Sequence, residues 1–221
     1  MAPGQLGLSA FWGERLRIFA AFGLCLSLGA CALVEDVVPI SYTASGAVVV
    51  PGADAIRVAV VAVDARTEHR ERISTKINGY NAEMAAIRLE GEVTDVVRES
   101  LLVELRSRGY DLAEGGARIE VKVATFYNTF TNGFMAGRAD GKVELLVTVA
   151  PGAGQPLYAR ELRGKARKPV QVASGKNAAA ALSAAMADAL HALFGDPAFI
   201  KALQDAGAIK AVSAPENSSL D

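Results

Sequence analysis

The sequence has little of what catalytic and metal-binding proteins use. Its 221 residues include 2 cysteines and 2 histidines, and His69 and His191 lack the spacing of a metal site or a catalytic pair. We expect His69 to be solvated and His191 to lie on a helix, at the flank of its apolar face. Lys and Arg number 23 against 24 Asp and Glu, so the basic excess typical of nucleic-acid binders is missing. These absences predict no enzyme activity, no metal, no cofactor and no nucleic-acid partner.

What the chain does have is apolar residues, at 51% of the sequence, which is too many for a disordered protein. The length suits one domain with its own core. We predict a tether with a possible edge strand over residues 31–54, within which the strand falls at 44–50. A single domain follows over 55–207, and a disordered tail over 208–221.

The N-terminus predicts a secretory signal peptide over residues 1–30. A basic flank precedes an uncharged apolar run, which ends in small residues before Cys31. This arrangement is typical of the bacterial lipobox, in which the cysteine thiol receives diacylglycerol and the chain is cut before it. The lipobox residues are Leu28, Gly29 and Ala30. The alternative is an uncleaved anchor, since residues 18–34 carry no charge over 17 residues, the lower limit for a bilayer span.

The residue after the cysteine indicates which membrane the lipid enters. Ala32 stands where an aspartate would favour inner-membrane retention in enteric-type bacteria. We therefore predict a palmitate-bearing lipoprotein of the cell outer membrane, lipid-anchored at Cys31 with its domain facing the periplasm. Cys25 would leave with the signal peptide, so the mature chain would hold no free thiol.

Apolar periodicity predicts an α+β fold. The expected order is strand, helix, three-strand meander and helix, in a mixed, mainly antiparallel sheet with helices on one face. The predicted strands cover 56–63, 119–123 with a bulge after it, 143–149 and 157–166. The predicted helices cover 92–108 and 176–194, with a short helix from 196. The many alanines of the second helix would allow close packing on the sheet.

Residues 66–91 follow neither helical nor strand periodicity, so we predict a long loop, and such loops are often functional. The candidate partner-binding residues in it are Thr75, Lys76, Asn78, Gly79, Tyr80 and Glu83. In the alternative interpretation, Asn78 and Gly79 only shape a turn, and Tyr80 and Met84 close the edge of the core.

A second candidate site is a run of alternating basic residues. Arg163, Lys165 and Arg167 are spaced to project from one face of a strand. They form either the solvated face of an antiparallel sheet or a contact for a polyanion, such as the phosphates of lipopolysaccharide.

The segment Ile73–Tyr80, followed by Glu83-Met84-Ala85, resembles the YajG-type bacterial outer-membrane lipoprotein family, as do the lipobox and the segment Leu105–Tyr110. The resemblance implies an outer-membrane lipoprotein and supplies no reaction. We therefore expect a non-catalytic envelope lipoprotein that binds a partner protein or a glycan. The alternative is an accessory subunit of an envelope transport system that handles lipid or muropeptide cargo. A carrier needs an apolar cavity, whereas a scaffold needs only a surface patch.

Overall fold

The computed structural model describes residues 34–44, 46, 48–133, 136–152 and 154–213, with side chains as far as Ala208. The predicted signal peptide, the lipobox, Cys31 and residues 214–221 lie outside this part of the chain.

The described residues form an α+β fold, which confirms the predicted class. The strands and α-helices follow one another along the chain in this order: β1 (Asp36–Val38), β2 (Val58–Asp64), β3 (Ser74–Ile77), β4 (Glu83–Leu89), α1 (Val93–Ser107), β5 (Ala117–Thr131), β6 (Gly137–Pro151), β7 (Tyr158–Val170), α2 (Gly175–Phe194) and α3 (Pro197–Ser213).

The strands form two sheets. The larger has the order β2-β5-β6-β7, with β2 parallel to β5 and antiparallel pairing elsewhere. The smaller has the order β1-β4-β3, with β1 parallel to β4. The predicted crossover from β2 through α1 to β5 is confirmed, as are the meander β5-β6-β7 and the bulge, which lies between Val123 and Thr125.

One face of the large sheet is buried under the helices. Val121 of β5 and Val147 of β6 are fully buried there, together with Leu101 of α1. The opposite face of β6 and β7, which we call the outer face, carries the alternate, mostly charged side chains. This clean alternation is why the meander could be predicted.

Helix α2 packs unusually close to the sheet. A Cβ atom on Gly164 of β7 would lie 1.9 Å from the carbonyl oxygen of Ala185, and one on Gly141 of β6 would lie 2.4 Å from that of Ala181. These glycines and the buried alanines of α2 let the helix backbone touch the strands. Within the described residues, no single helix is long and apolar enough to cross a bilayer; α2 and α3 meet that test only together, as a pair bent by 67°.

The prediction of a long loop over residues 66–91 is wrong, because β3 and β4 form an antiparallel hairpin within this segment. Three consecutive residues of β3 are buried although all are polar: Ser74, Thr75 and Lys76. Polar residues in a buried strand conceal the apolar alternation by which a strand is detected. The hairpin also holds β1, so it is part of the sheet architecture.

The predicted tether is also wrong for the residues that the structure describes. Val38, Ile40 and Tyr42 pack against the core, and β1 lies at 36–38 rather than at 44–50, where the described residues form no strand. Val48 and Val49 are instead exposed. Strand β1 pairs with the free edge of β4, and β4 itself was not predicted from the sequence. At the other end, α3 runs to Ser213, into the segment predicted as a disordered tail.

Candidate functional site

Lys76 holds the N-terminal segment onto the domain. Its side chain is buried, and Nζ donates to a carboxylate oxygen of Asp36 and to the carbonyl oxygen of Val34, each at 2.7 Å. The second oxygen of Asp36 accepts the backbone N–H of Gly175, the first residue of α2, at 2.7 Å. Although burial opposes ionisation, the bonds from Lys76 and Gly175 hold the pKa of Asp36 below its ordinary value.

Thr75 is likewise an internal residue. Its hydroxyl lies 3.1 Å from the hydroxyl of Tyr127 on β5. The Tyr127 ring stacks on His69, with ring centroids 4.1 Å apart, so the expected solvated His69 is instead a half-buried packing residue. The structure therefore removes Thr75 and Lys76 from the predicted partner-binding set, because neither side chain is accessible.

The turn of the β3–β4 hairpin is held by side-chain hydrogen bonds and leaves its aromatic residue in solvent. The amide oxygen of Asn78 accepts the backbone N–H groups of Tyr80 and Ala82, at 2.9 and 3.1 Å. Asn81 adopts a positive φ of 62°, which asparagine tolerates better than most residues. The side chain of Tyr80 is 93% exposed, so the alternative in which it closes the core is wrong for this residue.

The remaining hairpin residues differ in what they offer. A Cβ atom at Gly79 would meet nothing within 4 Å, so neither packing nor backbone strain requires glycine there. Glu83 is exposed and lies 3.6 Å from an arginine nitrogen of Arg72. Of the six predicted residues, Tyr80 and Glu83 are therefore the side chains most available to a partner, while Asn78 shapes the turn.

In the second predicted site, Arg163, Lys165 and Arg167 project together from the outer face of β7. Arg167 donates to Asp140 at 2.8 Å, and Arg163 lies 3.8 Å from Glu144. Both carboxylates resist protonation. Burial opposes the effect at Asp140, but its bonds to Arg167 and Arg138 lower its pKa, and the Thr125 hydroxyl does most to lower that of Glu144.

Lys142 and Lys165 form a like-charge pair that sequence reasoning missed. They are direct partners in the β6–β7 register, and like charges placed opposite each other destabilise a sheet. Lys142 has a carboxylate partner, Glu144, at 3.1 Å. Among the described residues, no carboxylate forms an ion pair with Lys165. The alternation of charges along β6 could have placed Lys142 on the outer face, but not opposite Lys165.

Beside the lysine pair lies an open depression of about 580 Å³. Its polar lining is supplied by three strands: Thr129 on β5, Asp140 and Lys142 on β6, and Lys165 and Arg167 on β7. The outer face of β6 and β7 carries five cationic side chains and three acidic ones. This face therefore carries a net positive charge, whereas the whole chain has a net charge of −1.

Comparison with models of protein families identifies the family of this chain. The family model described as uncharacterized lipoprotein matches residues 44–204, most of the described domain. This chain belongs to that bacterial lipoprotein family. A search of curated protein sequences finds no match. The family thus supports an envelope lipoprotein and assigns no chemistry to the residues above.

One solved structure supports the fold. A protein from Xanthomonas campestris is similar over 76% of this chain and 98% of its own, at 15% identity and a TM-score of 0.53. Two proteins described as lipoproteins match with lower TM-scores. One, from Caulobacter crescentus, is 16% identical over 74% of this chain and 96% of its own (TM-score 0.31); the other, from Neisseria meningitidis, is 9% identical over 58% and 94% (TM-score 0.31).

Proposed function

We propose that this family member is anchored in the bacterial outer membrane through acyl chains on Cys31, with its domain in the periplasm. The lipobox that ends at Ala30 supports this assignment, and so does Ala32, which is not the aspartate associated with retention in the inner membrane. The resemblance of residues 73–80 to YajG-type lipoproteins points the same way. Several acyl chains on one cysteine would give stable membrane attachment.

Metabolic labelling with palmitate tests the anchor. Wild-type protein should take up the label and fractionate with the outer membrane, whereas Cys31→Ser should take up none and keep its signal peptide. Cys25→Ser is the matched control, because it changes the other cysteine and leaves the lipobox intact. Normal labelling of Cys31→Ser would contradict the proposal.

We further infer a non-catalytic function, the binding of an anionic envelope glycan by the outer face of β6 and β7. The observation that carries this proposal is the like-charge pair Lys142 and Lys165. Placing two cations opposite each other costs stability, and such local conflicts are expected at functional or strained sites. An anionic group seated between the two ammonium groups would relieve the repulsion.

The shape and chemistry of the depression favour a polar ligand over an apolar one. It is open to solvent, and its rim carries Lys142, Lys165 and Arg167. A carrier of lipid cargo would instead need an enclosed apolar cavity. A phosphate-bearing or carboxylate-bearing glycan therefore suits this surface better than the lipid cargo of a transport subunit.

Retention on glycans tests this function. Purified protein is incubated with lipopolysaccharide and, separately, with peptidoglycan sacculi, and the bound fraction is measured at low and high salt. The double variant Lys142→Gln, Lys165→Gln should bind about tenfold more weakly or worse, because two charge-assisted contacts are lost. Lys201→Gln is the control, since Lys201 is an exposed lysine on α3. Equal retention of the double variant and wild type on both glycans would overturn the proposal.

A further inference from the structure

The path of the N-terminal segment fixes where the domain meets its anchor. Asp36 at the start of β1 is opposite Ile87 of β4, and the two strands run parallel. The chain before Asp36 therefore runs back along β4 toward Glu83, which flanks the β3–β4 turn. The bond from Lys76 to the carbonyl oxygen of Val34 holds the segment on this path.

Three connections lie together at this end of the domain. Asn132, after β5, donates its backbone N–H to Asn81 at 2.8 Å and its side-chain amide to the carbonyl oxygen of Asn78 at 2.5 Å. The pairing of Gly137 with Val170 brings the β7–α2 connection alongside. We call this surface the anchor end: Val34, residues 78–81, Asn132 and residues 171–174.

The anchor end exposes apolar side chains from separate connections. Tyr80 is 93% exposed, Val172 is 62% exposed and Val34 is 61% exposed. The bonds of Asn78 and Asn132 hold the Tyr80 turn in place, so its ring stays outside the domain. Tyrosine is the type of residue that concentrates at the membrane–water interface, since its ring is apolar and its hydroxyl is polar.

Chain length decides which end of the domain can reach the bilayer. Val34 is three residues after Cys31, so the two Cα atoms are at most about 11 Å apart even when the chain is fully extended. Strand β7 has 13 residues and is roughly 40 Å long. The opposite end of the sheet, where Leu157 precedes β7, therefore lies several times farther from the lipid than the anchor end.

We propose that the anchor end docks on the lipid bilayer, with Tyr80 and Val172 in the headgroup region and the strands standing away from the membrane. This proposal rests on the lipid attachment at Cys31 proposed above. The occupant of the exposed apolar surface is then the bilayer into which the acyl chains insert. The outer face with Lys142 and Lys165 would stay open at the side of the domain.

Site-specific fluorescence on the lipidated full-length protein tests the proposal. The mature chain has no cysteine besides Cys31. The variants Tyr80→Cys, Val172→Cys and Leu157→Cys can therefore each be labelled with an environment-sensitive dye. The labelled proteins are reconstituted into vesicles of phosphatidylethanolamine and phosphatidylglycerol, some carrying headgroup nitroxides. Leu157 is the matched control, because it is an exposed apolar residue at the far end.

Dyes at positions 80 and 172 should be quenched several-fold more by the nitroxides than the dye at position 157. Equal and weak quenching at all three positions, on protein that floats with the vesicles, would overturn the docking while leaving the anchor intact. Stronger quenching at position 157 would overturn it as well. Protein that fails to float would overturn the lipid anchor and the docking with it.

Discussion

Asp36 joins Lys76 and the N-terminus of α2: its two carboxylate oxygens bind the Lys76 ammonium group and the Gly175 N–H, each at 2.7 Å. One side chain thereby connects β1, β3 and a core helix. An aspartate at a helix N-terminus is favourable because it complements the helix dipole. The segment next to the predicted lipid site is thus an integral part of the domain.

Lys76→Ala should destabilise the domain by roughly 2–3 kcal/mol, because it breaks a largely buried ion pair. Removing one partner of a buried ion pair leaves the other charge uncompensated, which costs about 3–5 kcal/mol when both are fully buried. We expect less here because the Asp36 side chain is 30% exposed. Chemical denaturation measures the effect, with Lys201→Ala on exposed α3 as the control. A loss for Lys76→Ala no larger than the control's would contradict a structural function of the pair.

Acid should weaken the contacts of Asp36 with Lys76 and Gly175. The pKa of Asp36 in the folded protein is lowered from 3.8, so its contribution to stability is present above that value and is lost as the pH falls through the lowered pKa. The unfolding free energy of wild type should therefore drop more steeply below about pH 4 than that of Asp36→Asn. Parallel curves for the two proteins would show that Asp36 gains nothing from ionisation in the folded state.

The sequence predicted the elements whose side chains alternate cleanly. In β5 to β7, buried residues such as Val121 and Val147 alternate with charged ones, and α1 carries a stripe that includes Leu101. Each of these elements has one apolar, buried face and one polar, solvent-exposed face. The periodicity of apolar residues along the sequence therefore predicts which side chains are buried. The α+β class and the meander follow from them.

The small sheet could not be predicted in this way, and two of the six candidate partner-binding residues, Thr75 and Lys76, were therefore assigned wrongly to an exposed loop. The burial of Thr75 and Lys76 depends on partners distant in sequence, Tyr127 and Asp36. The sequence shows only that Thr75 and Lys76 are polar, which is typical of an exposed loop. It does not show the distant partners that satisfy their polar atoms inside the protein. The charged face of β7 was predictable from its alternation. The charges of β6 alternate too, but only the strand register shows that Lys142 lies directly opposite Lys165.

Gly164→Ala should destabilise the domain by about 1–3 kcal/mol or more. The new methyl group would lie 1.9 Å from the carbonyl oxygen of Ala185, so α2 must move away from β7. Gly79→Ala is the matched control, since its Cβ would meet no atom within 4 Å. Thermal unfolding compares the two variants. Similar melting temperatures for both would mean that α2 and the sheet are not in such close contact.

Lys165→Glu should separate stability from binding at the outer face. Replacing one member of the Lys142–Lys165 pair with the opposite charge turns a repulsive cross-strand contact into an attractive one, and so should stabilise the domain by about 0.2–1 kcal/mol. The same change removes positive charge from the depression and should abolish retention on the anionic glycan.

Arg118→Glu serves as the comparison for Lys165→Glu, because it makes the same charge change on β5, outside the depression. Two measurements on each variant, the free energy of unfolding and the retention on the glycan, distinguish the two interpretations of the basic residues. A solvated sheet face with no ligand predicts that Lys165→Glu gains stability and that both variants keep whatever weak retention wild type shows. A binding face predicts a gain in stability together with a loss of binding that is larger than for Arg118→Glu. That outcome would show that the lysine pair is kept for its ligand at the expense of stability.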